Sequence, residues 1–184
     1  MLPPANRERS PRDVSKGKLS PRSAEIQRLV GRALRASIDM KALGERTITI
    51  DCDVLQGDGG TRTASVTGGY VALALACQWL VKEGYLLRSP LRTAVAAVSA
   101  GIVDDELLLD LCYEEDSNAQ VDLNCIMTEQ GELVEIQGTG EGRAFTIQEQ
   151  RQLVDLCAKG IDELLAKQRE ALALAEKQAE EGSR

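Results

Sequence analysis

The chain has 184 residues, 43% of them hydrophobic, which is enough for one well-buried domain and short for two. Its net charge of -7 makes the surface as a whole repel nucleic acid, so RNA or DNA contact requires a local basic patch. It contains no histidine, which excludes Ser-His-Asp and Cys-His nucleophile systems and HExxH zinc sites. Carboxylates, guanidinium groups, backbone amides and hard metal ions remain available for chemistry.

The five cysteines (Cys52, Cys77, Cys112, Cys125 and Cys157) lack CxxC spacing and read as buried, reduced thiols. No cationic start followed by an apolar segment is present, and no uninterrupted apolar run approaches the roughly 20 residues of a membrane span. A soluble, cytoplasmic protein is the expectation.

Residues 1–20, MLPPANRERSPRDVSKGKLS, are proline-rich, basic and poor in apolar groups, which predicts a basic extended arm. From Ser23, Ile26, Leu29, Val30, Ala33, Leu34 and Ile38 recur at three and four, predicting an amphipathic helix to about Leu43, closed by Gly44. Arg28, Arg32 and Arg35 flank it. RTITIDCDVL then alternates, with Ile48, Ile50, Cys52 and Val54 on one face, and predicts a half-buried strand. After a glycine loop, TASVTGGYVALALACQWLVKEG reads as a central, well-buried helix.

Four strand-like runs follow: TAVAAVSAGIV, ELLLDLCYEED, QVDLNCIMTE and ELVEIQGTG. Turn signals at Asp104-Asp105, Ser117-Asn118 and Gln130-Gly131 separate them, which predicts an antiparallel meander. A last helix begins near Thr146, with Glu149 as its capping-box partner, and residues 173–184 form an acidic, frayed helical tail. The element order predicts an α+β fold with helices on one face of a mixed, mostly antiparallel sheet.

Three groups of residues could carry chemistry. The loop QGDGGTRT sits at a strand-to-helix junction, where unpaired helix amides and the helix dipole favour an anion. Gly57, Gly59 and Gly60 permit close backbone approach, Arg62 offers a forked charge, and Thr61 and Thr63 offer hydroxyls. Neither GxxxxGK[ST] nor GxGxxG is present, so the spacing allows a phosphate cradle or a plain turn whose arginine pairs with an acid. In EEDSNAQVDLN, Asp116 closes one run and Asp122 opens the next. The two carboxylates can meet at one end of the sheet and hold Mg²⁺, or Glu114, Glu115 and Asp116 can be a solvated edge. The basic set comprises Arg22 before the first helix, Arg28 on its flank, and Arg7, Arg9 and Arg12 in the arm; it suits RNA backbone contact or an ordinary polar face. Aromatic residues, at 3%, are too few for a base-stacking platform.

The chain resembles the bacterial ribonuclease PH family in KGK, in the block from EIQRLVGRALRA to CDVLQGDGGTRTASVTGG, in AAVSAGIV, and in DLCYEEDSNAQVDLNCIMTEQGELVEIQGTGEG. The resemblance implies a ribosomal protein S5 domain 2-like fold over residues 21–172, with the family's N-terminal strands lying ahead of the position of Met1. It further implies a hexameric ring built as a trimer of dimers. The activity implied is Mg²⁺-dependent phosphorolysis of tRNA precursor 3′ ends, with inorganic phosphate as co-substrate and nucleoside diphosphates as products. On this resemblance Arg22, Gly60, Thr61 and Arg62 bind phosphate, Asp116 and Asp122 are the catalytic acids and metal ligands, and Arg9, Arg12 and Arg28 contact RNA. The alternative is a ring subunit of the same family that binds RNA or partner chains without turnover.

Overall fold

The structure is a computed structural model that describes residues 17–181. Arg9, Arg12 and most of the expected arm lie outside the described residues.

The first helix, α1 (Pro21–Ala36), starts where Ser20 Oγ accepts from the Ser23 amide at 3.1 Å and Pro21 takes the first turn, where no amide is needed. It stops about two turns short of the expected end. The Ser37 hydroxyl donates back to the Leu34 carbonyl, and Asp39 caps a separate short helix, α2 (Met40–Leu43), by accepting from the Lys41 and Ala42 amides. A cap this strong between two apolar runs divides what periodicity alone joins.

The strand expected over RTITIDCDVL does not form. Residues 46–54 take no regular secondary structure and belong to no ladder among the described residues, and alternation gives a strand only where a neighbour takes up the backbone hydrogen bonds. Ile48 and Ile50 still point inward and pack against α1 and the next helix, α3 (Thr61–Lys82).

By length and a mean hydropathy of 1.4, α3 could cross a membrane. Here it packs against α1 and the sheet, burying Val66, Tyr70, Leu73 and Cys77.

Beyond α3 come β1 (Val95–Val103), β2 (Glu106–Leu109), a short helix α4 (Tyr113–Asn118), β3 (Val121–Thr128), β4 (Leu133–Gly140) and α5 (Ile147–Glu181). The four strands are all antiparallel in the order β2-β1-β3-β4, not the order of a meander. Strand β3 is buried along nearly its whole length while β2 is half exposed. The apolar strand therefore takes the centre beside β1 and the amphipathic one the edge. Asp104 and Asp105, both at positive φ (50° and 64°), make the two-residue hairpin between β1 and β2, with Val103 paired to Glu106.

Helices cover both faces of the sheet, not one. Val95, Ala97 and Ile126 face α1 and α3, while Ala96, Val98, Val121, Leu123 and Cys125 face Leu153, Cys157, Ile161 and Leu165 of α5. Each of these large side chains contributes roughly 1.5–3 kcal/mol by leaving water. The α5 start is as expected: Thr146 Oγ1 accepts from the Glu149 amide at 3.1 Å, and Glu149 Oε2 accepts from the Thr146 amide. Helix α5 then continues unbroken through residues 173–181. In the second half of α5 the buried Gln168 side chain donates from Nε2 to the carbonyls of Thr67 on α3 and Val95 on β1, both at 2.9 Å. Thr67 is also bonded to the Ala97 backbone on both sides, accepting at 3.1 Å and donating at 3.2 Å.

Candidate active site

Alternation along β1 and β3 decides which side chains reach the α3 side of the sheet. Ser99 pairs with Asn124 and Gly101 with Asp122, so Ser99, Asp122 and Asn124 share that face just where the apolar contacts to α3 end. They floor a cavity of about 280 Å³ roofed by the glycine loop.

The loop needs its glycines. Gly59 (φ 79°) and Gly60 (φ 54°) are left-handed, and a Cβ on Gly59 would lie 2.3 Å from the Leu111 carbonyl oxygen. That contact docks the loop onto the segment entering α4, and Asp58 Oδ1 accepts from the Tyr113 amide at 3.1 Å. Glu115 Oε2 accepts from the Cys112 amide at 2.8 Å. Together these bonds fix a six-residue helix whose face carries Asp116 toward the cavity. The run DLCYEED thus turns into a helix after Asp110 and does not extend β2, because Cys112 and Glu115 form a capping box and Asp58 of the glycine loop takes the next amide.

Gly60 is the residue before α3 and no side chain caps that helix. Its first amides face the cavity and give a partial positive charge there. Arg62 bridges the rim: Nη1 lies 3.3 Å from Glu25 Oε1 and Nη2 lies 4.0 Å from Asp122 Oδ2. Burial pushes the Asp122 carboxyl above the usual range, the nearby Asp116 charge pushes it further, and Arg62 opposes both. Asn124 Nδ2 donates to Asp122 Oδ2 at 3.2 Å, whereas Asp122 Oδ1 is buried with no hydrogen-bond partner.

Arg22, Gly60, Thr61, Arg62, Asp116 and Asp122 all line this one cavity. Arg28 is exposed on α1 and does not. Sequence reasoning missed Ser99, Asn124 and Tyr113, which also line it. For Ser99 and Asn124 the signal was present, as lone polar residues at inward positions of apolar strands. Tyr113 had none.

Two family models match the chain: 3′ exoribonuclease family domain 1 over residues 2–77 and domain 2 over residues 93–159. The ribonuclease PH of Corynebacterium kroppenstedtii is 57% identical over 173 residues, 94% of this chain and 68% of its own. That of a Synechococcus species is 57% identical over 177 residues, 95% of this chain and 72% of its own. The chain belongs to the ribonuclease PH family.

Solved structures agree on the ribonuclease PH fold. An Archaeoglobus fulgidus exosome subunit, in a structure titled as having RNA bound to the active site, superposes with a TM-score of 0.63 at 21% identity. The match covers 91% of this chain and 67% of that one. Rice Rrp46 gives 0.63 at 14% identity over 85% of this chain and 68% of its own. The two matched family segments do not fold apart here: Val66 and Leu73 of the first share a core with Val95 and Ile126 of the second. Family membership makes the chain a phosphate-dependent 3′ exoribonuclease.

Proposed function

We propose that this cavity is where the 3′-terminal phosphodiester of a tRNA precursor meets inorganic phosphate. The observation that carries the reading is the convergence, in one cavity, of an uncapped helix end, two arginines and two acids drawn from four separate stretches of sequence. The α3 amides around Gly60 and Thr61, together with Arg62 and Arg22, hold the attacking phosphate. One of its oxygens bonds to the phosphorus of the terminal nucleotide as the bond to the preceding 3′ oxygen breaks. The proton carried by the phosphate passes to that departing oxygen by way of the Asp122 carboxylate. The products are a nucleoside diphosphate and an RNA one nucleotide shorter, with no covalent protein intermediate.

The two acids also suit a divalent cation. Asp122 Oδ1 is buried without a donor and the Asp116 charge bears on the same carboxyl, which Arg62 at 4.0 Å offsets only in part. Two carboxylates suit Mg²⁺, which is commonly held by one or two carboxylates plus substrate phosphate. Bound there, Mg²⁺ would neutralise charge building on the transferring phosphoryl group. RNA contact is assigned in the same reading to Arg28, exposed on α1, and by the family resemblance to Arg9 and Arg12. The same reading includes a homohexameric ring, a trimer of dimers, acting in the cytoplasm.

The test is to incubate the protein with a tRNA carrying extra 3′ nucleotides and Mg²⁺, with and without phosphate. Nucleoside diphosphates released only with phosphate support the reading. Monophosphates, or no release, oppose it.

A further inference from the structure

We infer that Ser99 is a substrate-contacting residue, its hydroxyl donating to an oxygen of the phosphate ion held at the start of α3. The inference rests on the function proposed above and adds a residue to that site.

Ser99 is 4% exposed, yet its Oγ has no hydrogen-bond partner. A hydroxyl taken from water and left unpaired is unfavourable, and native folds rarely keep one without a purpose. Here the remedy is close by. Ser99 lies on β1, the strand beneath the loop, and a Cβ built on Gly60 would sit 4.0 Å from Ser99 Oγ. The space above this hydroxyl exists because Gly60 has no side chain. The same space is bounded by the uncapped α3 amides, so an anion seated on them meets Ser99 from below.

The backbone holds this position firmly. The Ser99 carbonyl accepts from the Asp110 amide at 2.7 Å, where Asp110 takes a left-handed conformation (φ 58°) that a non-glycine residue rarely adopts. On the other side Ser99 is registered opposite Asn124, the residue that steadies Asp122. Neither Asp122 Oδ1 nor Ser99 Oγ satisfies the other, which leaves a donor and an acceptor both facing the same cavity. A hydrogen phosphate ion, with bare oxygens and one hydroxyl, satisfies both at once.

The experiment compares wild type, Ser99→Cys and Ser99→Ala in the full chain, measuring KM for phosphate, KM for RNA, kcat at saturating phosphate, and calorimetric Kd for inorganic phosphate. In Ser99→Ala the phosphate KM and Kd rise about tenfold, in Ser99→Cys by less, and the RNA KM stays within about twofold. The melting temperature of Ser99→Ala holds or rises, because an unpaired buried hydroxyl has been removed. Unchanged phosphate constants in Ser99→Ala overturn the inference. So does a lowered melting temperature with both KM values raised, which marks a structural serine. Wild-type protein that binds phosphate but releases no nucleoside diphosphate counts against the proposed function alone, and the Kd comparison still decides the role of Ser99.

Discussion

Arg62 Nη2 stands 4.0 Å from Asp122 Oδ2 while its other nitrogen, Nη1, is held 3.3 Å from Glu25 Oε1. The guanidinium is therefore stretched between an exposed acid on α1 and a half-buried acid on β3, across the mouth of the cavity. A phosphate bound there as proposed would meet a positive charge that is already oriented.

Replacing Arg62 by Ala removes that charge and the fork together. Phosphorolysis should fall about 10²–10³-fold, the usual loss when one preorganised donor to a developing charge is deleted. Arg62→Lys should recover only part of it, since a single ammonium cannot make two parallel hydrogen bonds. Glu25→Ala should change activity far less, because exposed ion pairs contribute under about 1 kcal/mol. Steady-state kinetics at varied phosphate would check all three.

Asp122 gives a stability test. Its folded-state carboxyl titrates above the unfolded value, so the folded state binds the extra proton in the interval between the two. Stability associated with this group is present in full below the unfolded pKa and is lost as pH rises through the folded one. Asp122→Asn cannot ionise, so in metal-free protein near pH 7 it should melt at or above the wild-type temperature while turnover drops about 10²-fold or more. Melting curves from pH 3 to 8 and turnover assays on the same preparations would check it.

Gly59→Ala tests the docking of loop to helix. The new Cβ meets the Leu111 carbonyl at 2.3 Å and the backbone sits at φ 79°, so the loop must move off the entry to α4. The left-handed conformation alone costs about 1–2 kcal/mol for a residue with a side chain. Activity should fall at least tenfold through displaced Asp116, with the sheet amides still protected in hydrogen exchange.

Glu149 gives the opposite pH signature. Arg143, then the Thr146 amide and hydroxyl, lower its carboxyl to about 2. The stability it adds is present above the ordinary glutamate range and is lost as pH falls toward 2. Glu149→Gln should therefore melt below wild type at pH 7 and match it near pH 2. Circular dichroism melts at the two pH values suffice.

Local signals revealed the parts of the site that local chemistry dictates. The glycine loop and its arginine were readable because a left-handed turn before a helix demands glycine, and Asp116 and Asp122 because acids flanked two apolar runs. What stayed hidden depended on distant partners. DLCYEED carries its own capping box in Cys112 and Glu115, but nothing in it says that Asp58, more than fifty residues earlier, takes the Tyr113 amide as well. Likewise RTITIDCDVL alternates as a strand should, but pairing is a property of the neighbour. The sheet order followed from burial along β2 and β3, which single runs of alternation express poorly. Ser99 and Asn124 were legible in principle, once a polar residue facing inward from an apolar strand is read as an exception needing a cause.

The Gln168 clamp sets where the site can and cannot move. It fastens α3 at Thr67, six residues or about 9 Å beyond the helix start. Bonded in its second turn to both β1 and α5, α3 has its first amides held close to a fixed point of the core. Residues 57–60 then sit between this anchored helix and the entry to α4, where Asp58 accepts from the Tyr113 amide. One glutamine in the body of a helix on the opposite face of the sheet thus calibrates a cavity it never touches.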